Sequence, residues 1–380
     1  MYTKEELDYL DYKEAYYLGN PKISDPEFDK FEDVLRKKGS KVVEIVGYTI
    51  KNKKDVYDHP SHMLSLEKLQ VNDEENIPLD ELEKWMAQMP GGIIEMSPKY
   101  DGNAINCIYQ DGILIKALTR GSKTQGFERI NKLKHLVPNT IPLKGIVQIR
   151  GEIVVTDKEY QKYRDPEKIS NARNFVAGIL NRDDVDFNII NDLVFVAYSC
   201  ILNNGYIDNT MQQLENFGFN NVHKPFLRNF SNISDFPALY KEFKHYRKNI
   251  SEFLLDGIVL KFPESIRPIL SETDHHPRWG LAVKFETDIV ETEILDIIWN
   301  VSTTGELSPV AILKPVELLG TIVQKASLYN LGSIITMRSF PGAIVKIRKS
   351  GEIIPQILSV IIPSPNEDEY LKQYEERCKI

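Results

Sequence analysis

The chain has 380 residues, 42% hydrophobic and 27% charged, with a formal net charge of −8 at pH 7. This is the balance of a globular protein long enough for two or three domains, and it argues against a uniformly basic nucleic-acid binder while leaving room for a local basic face. No stretch approaches the roughly 18 apolar residues of a membrane span, and the acidic, aromatic opening MYTKEELDYLDYKEAYY is no signal peptide, so a cytoplasm-like compartment is expected.

In chain order, residues 1–57 read as a small helical unit. YTKEELDYLDYKEAYYLG and DPEFDKFEDVLRKKG carry helical patterning, broken at Gly19, Asn20 and Pro21, with Ser24 or Asp25 placed to cap the second helix. From about residue 93 the period becomes two. AINCIYQ, the turn DG, ILIKALT, GIVQIRGEIVV, LVFVAYSCIL, DGIVLKF and GLAVKFET are short β-rich runs separated by polar, helix-like segments. The expectation is an α+β domain with antiparallel sheets over residues 58–288. Residues 289–364 are nearly all strand and turn, which fits a five-stranded oligonucleotide-binding barrel, and 365–380 form a charged helix or tail. Cys107, Cys200 and Cys378 are too few and too scattered for a disulfide framework or a four-cysteine zinc site, and the first two read as small core residues.

Strand alternation singles out lysines. In DGIVLKF, Val259 and Lys261 share a face opposite Ile258 and Leu260; in GLAVKFE, Lys284 shares its face with Ala282. Lys99 stands just ahead of the Asp101-Gly102 turn signal. A lysine on a half-buried strand face is costly unless an anion or carboxylate meets it; the plain alternative is an edge-strand lysine that discourages aggregation. Three such lysines together with Glu152 in RGE suit phosphoryl chemistry, because clustered cations clamp phosphate oxygens and favour the neutral, nucleophilic amine.

The ordered set KYDG (Lys99 to Gly102), RGE (Arg150 to Glu152), FVAYS (Phe195 to Ser199), DGIVLK (Asp256 to Lys261) and AVKF (Ala282 to Phe285) resembles the motifs shared by nucleotidyltransferases, the DNA ligases, RNA ligases and capping enzymes. Three further stretches resemble the NAD-dependent DNA ligases in particular. AYYLGNPKISDPEFDKF is similar to their nicotinamide-mononucleotide-binding helical domain, HPSHMLSLEKL to the linker into their adenylation domain, and VSTTGELSPVAILKPVELLGTIVQKASLYN with KSGEIIPQI to their OB-fold barrel.

The resemblance implies these roles. Lys99 is the nucleophile that takes AMP from NAD; Asp101 orients it; Arg120 meets phosphate; Glu152 holds the ribose; Lys261 and Lys284 stabilise the growing phosphate charge, with Mg²⁺ as counter-ion. Tyr16, Tyr17, Asp25, Phe28 and Asp29 fall at or beside the mononucleotide positions, although these aromatics could simply pack two helices. Ser65 and Leu66 touch the adenosine, and Ser97 stands where the family has a glutamate that meets adenine, with Glu95 two residues further back. Arg173 in NARNFVAG is suited to a bidentate grip on the nick phosphate, and Thr303, Tyr329 and Lys349 stand at DNA-facing barrel positions where the family carries other residues. No residue is assigned as a dedicated metal ligand. His275 and His276 read as a solvated loop, and Trp279 either closes over the nucleotide or packs the core.

The implied partners are NAD and nicked duplex DNA, in a bacterial, phage or cytoplasmic-virus setting. The family continues into a zinc finger, a helix-hairpin-helix domain and a terminal phosphopeptide-type BRCT module that this sequence lacks, so a minimal enzyme, a fragment, or a split-ligase subunit completed by a second chain are all open. Two alternatives remain: an ATP-dependent polynucleotide ligase or capping-type enzyme with an unrelated N-terminus, and a non-catalytic DNA-binding subunit.

Overall fold

The computed structural model describes residues 2–17, 22–23, 28, 31–32, 34–36, 38–44, 55–71, 77–164, 171–182, 186–203, 205–207, 210–219, 227–270, 272–273, 276–285, 289–301, 307–318, 321–350 and 354–377. The chain divides into two compact units. The first comprises Met1–Lys22 and Gly39–Glu286, the second Ile23–Lys38 and Thr287–Ile380.

The first unit opens with a helix at Lys4–Tyr17. It then runs through strands β1 (Val56–Asp58), β2 (Glu67–Gln70), β3 (Ile94–Tyr100), β4 (Asn103–Gln110), β5 (Ile113–Thr119), β6 (Gln125–Phe127), β7 (Ile146–Val155), β8 (Leu193–Leu202), β9 (Gly205–Tyr206), β10 (Arg228–Phe230), β11 (Leu255–Lys261) and β12 (Gly280–Lys284). Among the described residues these strands form two five-stranded sheets, ordered β10-β3-β11-β12-β2 and β5-β4-β7-β8-β9, with β1 and β6 as a separate pair. Pairing in both sheets is antiparallel, as the sequence suggests, except that β2 joins β12 in parallel.

Each sheet buries one face for a readable reason. In the first, Ile94 and Met96 of β3, Ile258 and Leu260 of β11, and Leu281 and Val283 of β12 form one core. The helix Phe236–Asn249 covers it with Phe236, Tyr240 and Phe243, at the spacing that keeps side chains on one helical face. In the second, Ile105, Cys107, Ile149, Ile153, Phe195, Ala197 and Cys200 pack against Val176, Ile179 and Leu180 of the helix Ala172–Asn181. Cys107 and Cys200 are the small buried residues expected of them. The faces left over, carrying Ser97, Lys99, Val259, Lys261, Ala282 and Lys284, line a cleft.

The second unit contains a closed barrel of β13 (Ile289–Val301), β14 (Leu307–Leu318), β15 (Thr321–Ser327), β16 (Ile344–Ser350) and β17 (Ile354–Ile362), in the order β13-β14-β15-β17-β16. Closure removes free sheet edges. Ile294, Leu313, Val345 and Ile347 fill its core. The C-terminal charged segment, expected as a helix or tail, forms the helix Glu367–Arg377, whose Tyr374 is buried, 5.7 Å from Phe340 and 5.8 Å from Trp299 between ring centroids. Among the described residues no helix is long and apolar enough to cross a membrane.

Candidate active site

Two β-rich walls and a strap enclose a cleft of about 330 Å³. One wall is the outer face of β3, β11 and β12; the other comes from the start of β4 with β7 and β8; the strap is the segment from His62 to Leu66. The strap is stitched down by polar contacts. The buried His59 lies 3.1 Å from the Arg120 carbonyl oxygen through Nε2, and its Nδ1 lies 3.2 Å from the Asn106 amide nitrogen. Arg150 donates to the Ser61 carbonyl at 3.1 Å and to its hydroxyl at 2.8 Å. Arg120 donates to Ser65 Oγ, and His276 Nδ1 lies 3.0 Å from the Ser65 carbonyl oxygen. His276 is therefore no freely solvated loop residue as expected but part of the strap's anchorage, while His275 lies outside the described residues.

The chemical centre is a carboxylate shared by two lysines. Gly257 on β11 is in register with Lys99 on one side and Lys284 on the other. Lys99 Nζ lies 2.5 Å and Lys284 Nζ 3.5 Å from the same oxygen, Oδ2, of Asp256. Sequence reasoning missed Asp256 because alternation places it with Ile258 and Leu260, on the core side. The register shifts between Leu255 and Gly257, where two residues of β11 oppose one step of β3, and the extra residue is Asp256. Such a bulge re-aims a side chain, here into the cleft. The Asp-Gly pair at the head of DGIVLK is the one sequence signal that points to it. A Cβ on Gly257 would fall 2.3 Å from the Val283 carbonyl oxygen, so only glycine fits there.

Electrostatics follow from burial and neighbours. Burial alone would raise the Asp256 carboxyl, but the Lys99 and Lys284 ammonium groups and the hydrogen bond from Lys99 overcome it and hold the group well below the ordinary carboxylate range. Asp101 is pushed up by burial, opposed by Arg173, whose guanidinium lies 3.3 Å from its Oδ1. Burial lifts Glu152 to about 7 against the pull of Lys99 and Arg173. Lys261 is lowered by burial and partly restored by Glu95, 3.8 Å away.

The sequence-selected residues fall as follows. Lys99, Asp101, Glu152, Lys261, Lys284, Ser65, Leu66, Ser97, Arg120 and Arg173 all line this cleft. Arg173, expected to face DNA, thus sits beside Asp101 in the same cleft; its helix is capped by Asn171, whose side chain accepts from the Asn174 amide. Tyr198, not singled out as a site residue, lines the cleft with its ring centroid 5.7 Å from Lys261 Nζ. Trp279 packs on the sheet core, the second of the two readings given for it, and also lines the cleft. Tyr16 and Tyr17 end the first helix, and Phe28 is helical and half-buried; Asp25, Asp29 and Thr303 lie outside the described residues. In the second unit Tyr329 is exposed with φ 62°, an uncommon backbone for a non-glycine residue, just before the Asn330 cap of the helix Leu331–Met337. Lys349 lies on β16 opposite Pro355.

Sequence comparison places this geometry. Residues 51–288 match the NAD-dependent DNA ligase adenylation domain and residues 291–369 the OB-fold domain of the same enzymes. A DNA ligase of Clostridium tetani is 31% identical over 396 residues, covering 97% of this chain and 58% of that protein; one of Clostridium botulinum is 30% identical over 400 residues, covering 98% and 60%. The chain thus spans about 58–60% of the length of these curated relatives. A solved structure of the ATP-dependent DNA ligase of bacteriophage T7 in complex with ATP is 14% identical, covering 77% of this chain and 98% of that one at a TM-score of 0.33, too low to bear on function. The chain belongs to the NAD-dependent DNA ligase family.

Proposed function

We propose that the chain takes AMP from NAD onto Lys99 and passes it to the 5′-phosphate of a nick in duplex DNA, which the adjoining 3′-hydroxyl then attacks to seal the strand. The observation that carries this reading is the pair of lysines, Lys99 and Lys284, converging on one Asp256 oxygen at the wall of a nucleotide-sized cleft. The family supports it, because nucleotidyl transfer to a lysine needs a positioned amine with further cations around the reacting phosphate.

In the first step the neutral amine of Lys99 attacks the adenylyl phosphorus. The Nζ–P bond forms, the P–O bond to the nicotinamide mononucleotide half breaks, that half leaves with the electron pair, and the Nζ proton passes to solvent. Asp256, whose Oδ2 is shared by both lysines, aims Nζ and keeps Lys284 beside the phosphate. Arg120 and Arg173 present guanidinium groups suited to phosphate oxygens, with Asp101 steadying Arg173. Glu152 accepts from the ribose, while Lys261, opposite Glu95 and 3.8 Å from it, stands two same-face steps along β3 from Lys99 and so away from the reacting phosphorus, beside the Tyr198 ring.

Mg²⁺ fits this site only in the manner usual for that ion, held by substrate phosphates, its own waters and one or two carboxylates. Among the described residues no group of three or more histidine, cysteine, aspartate or glutamate side chains could cage a metal. Asp101 and Glu152 are the carboxylates placed to assist, and the ion would supply charge neutralisation at the phosphates.

In this reading residues 1–57 receive the nicotinamide mononucleotide half through Tyr16, Tyr17, Asp25, Phe28 and Asp29, residues 58–288 carry the chemistry, and the barrel at 289–364 presents Thr303, Tyr329 and Lys349 to DNA. The test is transfer to DNA. With NAD, a labelled nicked duplex is expected to yield first the adenylylated 5′-strand and then the sealed product, and Lys99→Ala to yield neither. Formation of adenylylated DNA by Lys99→Ala would refute the assignment.

A further inference from the structure

One buried polar group in the cleft is unaccounted for by the chemistry above. Ser97 is 1% exposed, lines the cleft, and its hydroxyl has no hydrogen-bond partner among the described residues. A buried hydroxyl without a partner carries a desolvation cost, and one aimed into a binding cleft is resolved when a ligand supplies the partner.

What that ligand group is follows from position. Lys99, Ser97 and Glu95 are successive same-face residues of β3, so Ser97 lies one same-face step, about 7 Å, along the strand from the nucleophile. The phosphorus must sit at Lys99, and Lys284 and Arg173 lie at that end, Lys284 reaching the same Asp256 oxygen as Lys99 and Arg173 pairing with the nearby Asp101. The surfaces around Ser97 are those a flat base requires: Val259, directly opposite it on β11, with the Tyr198 ring, Ala282 and Leu66. The base therefore enters along β3, and its edge meets Ser97.

We propose that Ser97 reads the six-position of the purine and that, being a hydroxyl, it accepts both 6-amino and 6-oxo purines, so that nicotinamide hypoxanthine dinucleotide serves as nucleotidyl donor alongside NAD. A hydroxyl donates one hydrogen bond and accepts others, whereas a carboxylate only accepts. Adenine presents an N–H at this position and hypoxanthine a carbonyl oxygen; Ser97 satisfies the first by accepting and the second by donating. Glu95, the next same-face residue along β3, is a carboxylate that could impose acceptor-only reading, and it is directed to Lys261 at 3.8 Å. With the hypoxanthine analogue the balance is unchanged: Nζ of Lys99 bonds to the α-phosphorus, the pyrophosphate P–O bond breaks, nicotinamide mononucleotide leaves and one proton is released.

This rests on the reading of the cleft as a dinucleotide-consuming site, and the test separates the two. Single-turnover labelling of the full chain is followed by peptide mass spectrometry with NAD or with nicotinamide hypoxanthine dinucleotide. Labelling rates within about tenfold of one another are expected. A loss of roughly 100-fold or more with the hypoxanthine analogue, against normal labelling by NAD, overturns the proposal alone; no label from NAD overturns the underlying reading and this inference with it. Ser97→Glu, which makes the position acceptor-only, is expected to raise the NAD-to-analogue rate ratio by roughly 10- to 100-fold, and an unchanged ratio in a folded variant also overturns the proposal. Ser97→Ala, which buries no charge, removes the hydrogen bond from both donors and is expected to slow labelling by NAD and by the analogue together, by about 3- to 10-fold; unchanged rates with both overturn the proposal.

Discussion

Lys99 and Lys284 sit on strands flanking β11, both opposite Gly257, and their ammonium groups reach the same Oδ2 atom of Asp256 at 2.5 and 3.5 Å. A strand bulge turns that carboxylate into the cleft, where strict alternation would have sent residue 256 to the core. Two positive charges are thereby held at the cleft wall with one fixed negative charge to orient them, before any phosphate arrives.

Asp256→Asn retains the shape but removes the charge that aims both lysines, and is expected to slow self-adenylylation by about 10- to 100-fold, the order expected when a reacting group loses its orientation. Single-turnover kinetics with NAD check it, and an unchanged rate constant would show that Asp256 neither aims Lys99 nor holds Lys284.

Gly257 is irreplaceable for a steric reason. Gly257→Ala sets a methyl 2.3 Å from the Val283 carbonyl in the middle of a buried sheet, and a loss of about 2–4 kcal/mol is expected from overpacking with backbone displacement. Denaturant unfolding measures it; a change under about 0.5 kcal/mol, the surface-substitution range, would mean the strands part easily there.

Burial gives two groups opposite pH signatures. Glu152 is raised from 4.5 to about 7, so its contribution to stability is fully present below pH 4.5 and is lost as pH rises to about 7. His59 is lowered by burial from 6.5 to about 4, so its contribution is present above pH 6.5 and is lost as pH falls toward 4. Each slope amounts to about 3 kcal/mol at the ordinary conversion. Glu152→Gln should therefore gain stability relative to the parent between pH 4.5 and 7, and His59→Gln should lose its relative deficit between pH 6.5 and 4. Melting curves across this range test both, and parallel curves for parent and variant would contradict the corresponding assignment.

Arg173 is expected to serve phosphate through its planar fork. Arg173→Lys keeps the charge and loses bidentate geometry, so it should rescue little of the defect of Arg173→Ala in passing AMP to the nick. Full rescue by lysine would show that charge alone suffices there.

Much of this was legible in the sequence because strand alternation is strict where one face is buried. Ile258 and Leu260 against Val259 and Lys261, and Val283 against Ala282 and Lys284, separate into core and cleft as the text suggests. The closed barrel follows from short strands and turns in the same way. Asp256 was hidden because a bulge breaks the alternation, and His276 because its partner, the Ser65 carbonyl, is 211 residues away in sequence. The C-terminal helix Glu367–Arg377 reads as charged because its apolar content is two tyrosines and a leucine, Tyr370, Tyr374 and Leu371, and these are the residues that dock on the barrel core.

The proposed reaction turns on Lys99 taking AMP covalently from NAD. The most direct measurement is the intact mass of the chain after incubation with NAD and Mg²⁺, with ATP in a parallel tube. One added AMP from NAD, absent with ATP and absent in Lys99→Ala, is the predicted result; the same gain from ATP alone, or none from either, would contradict it.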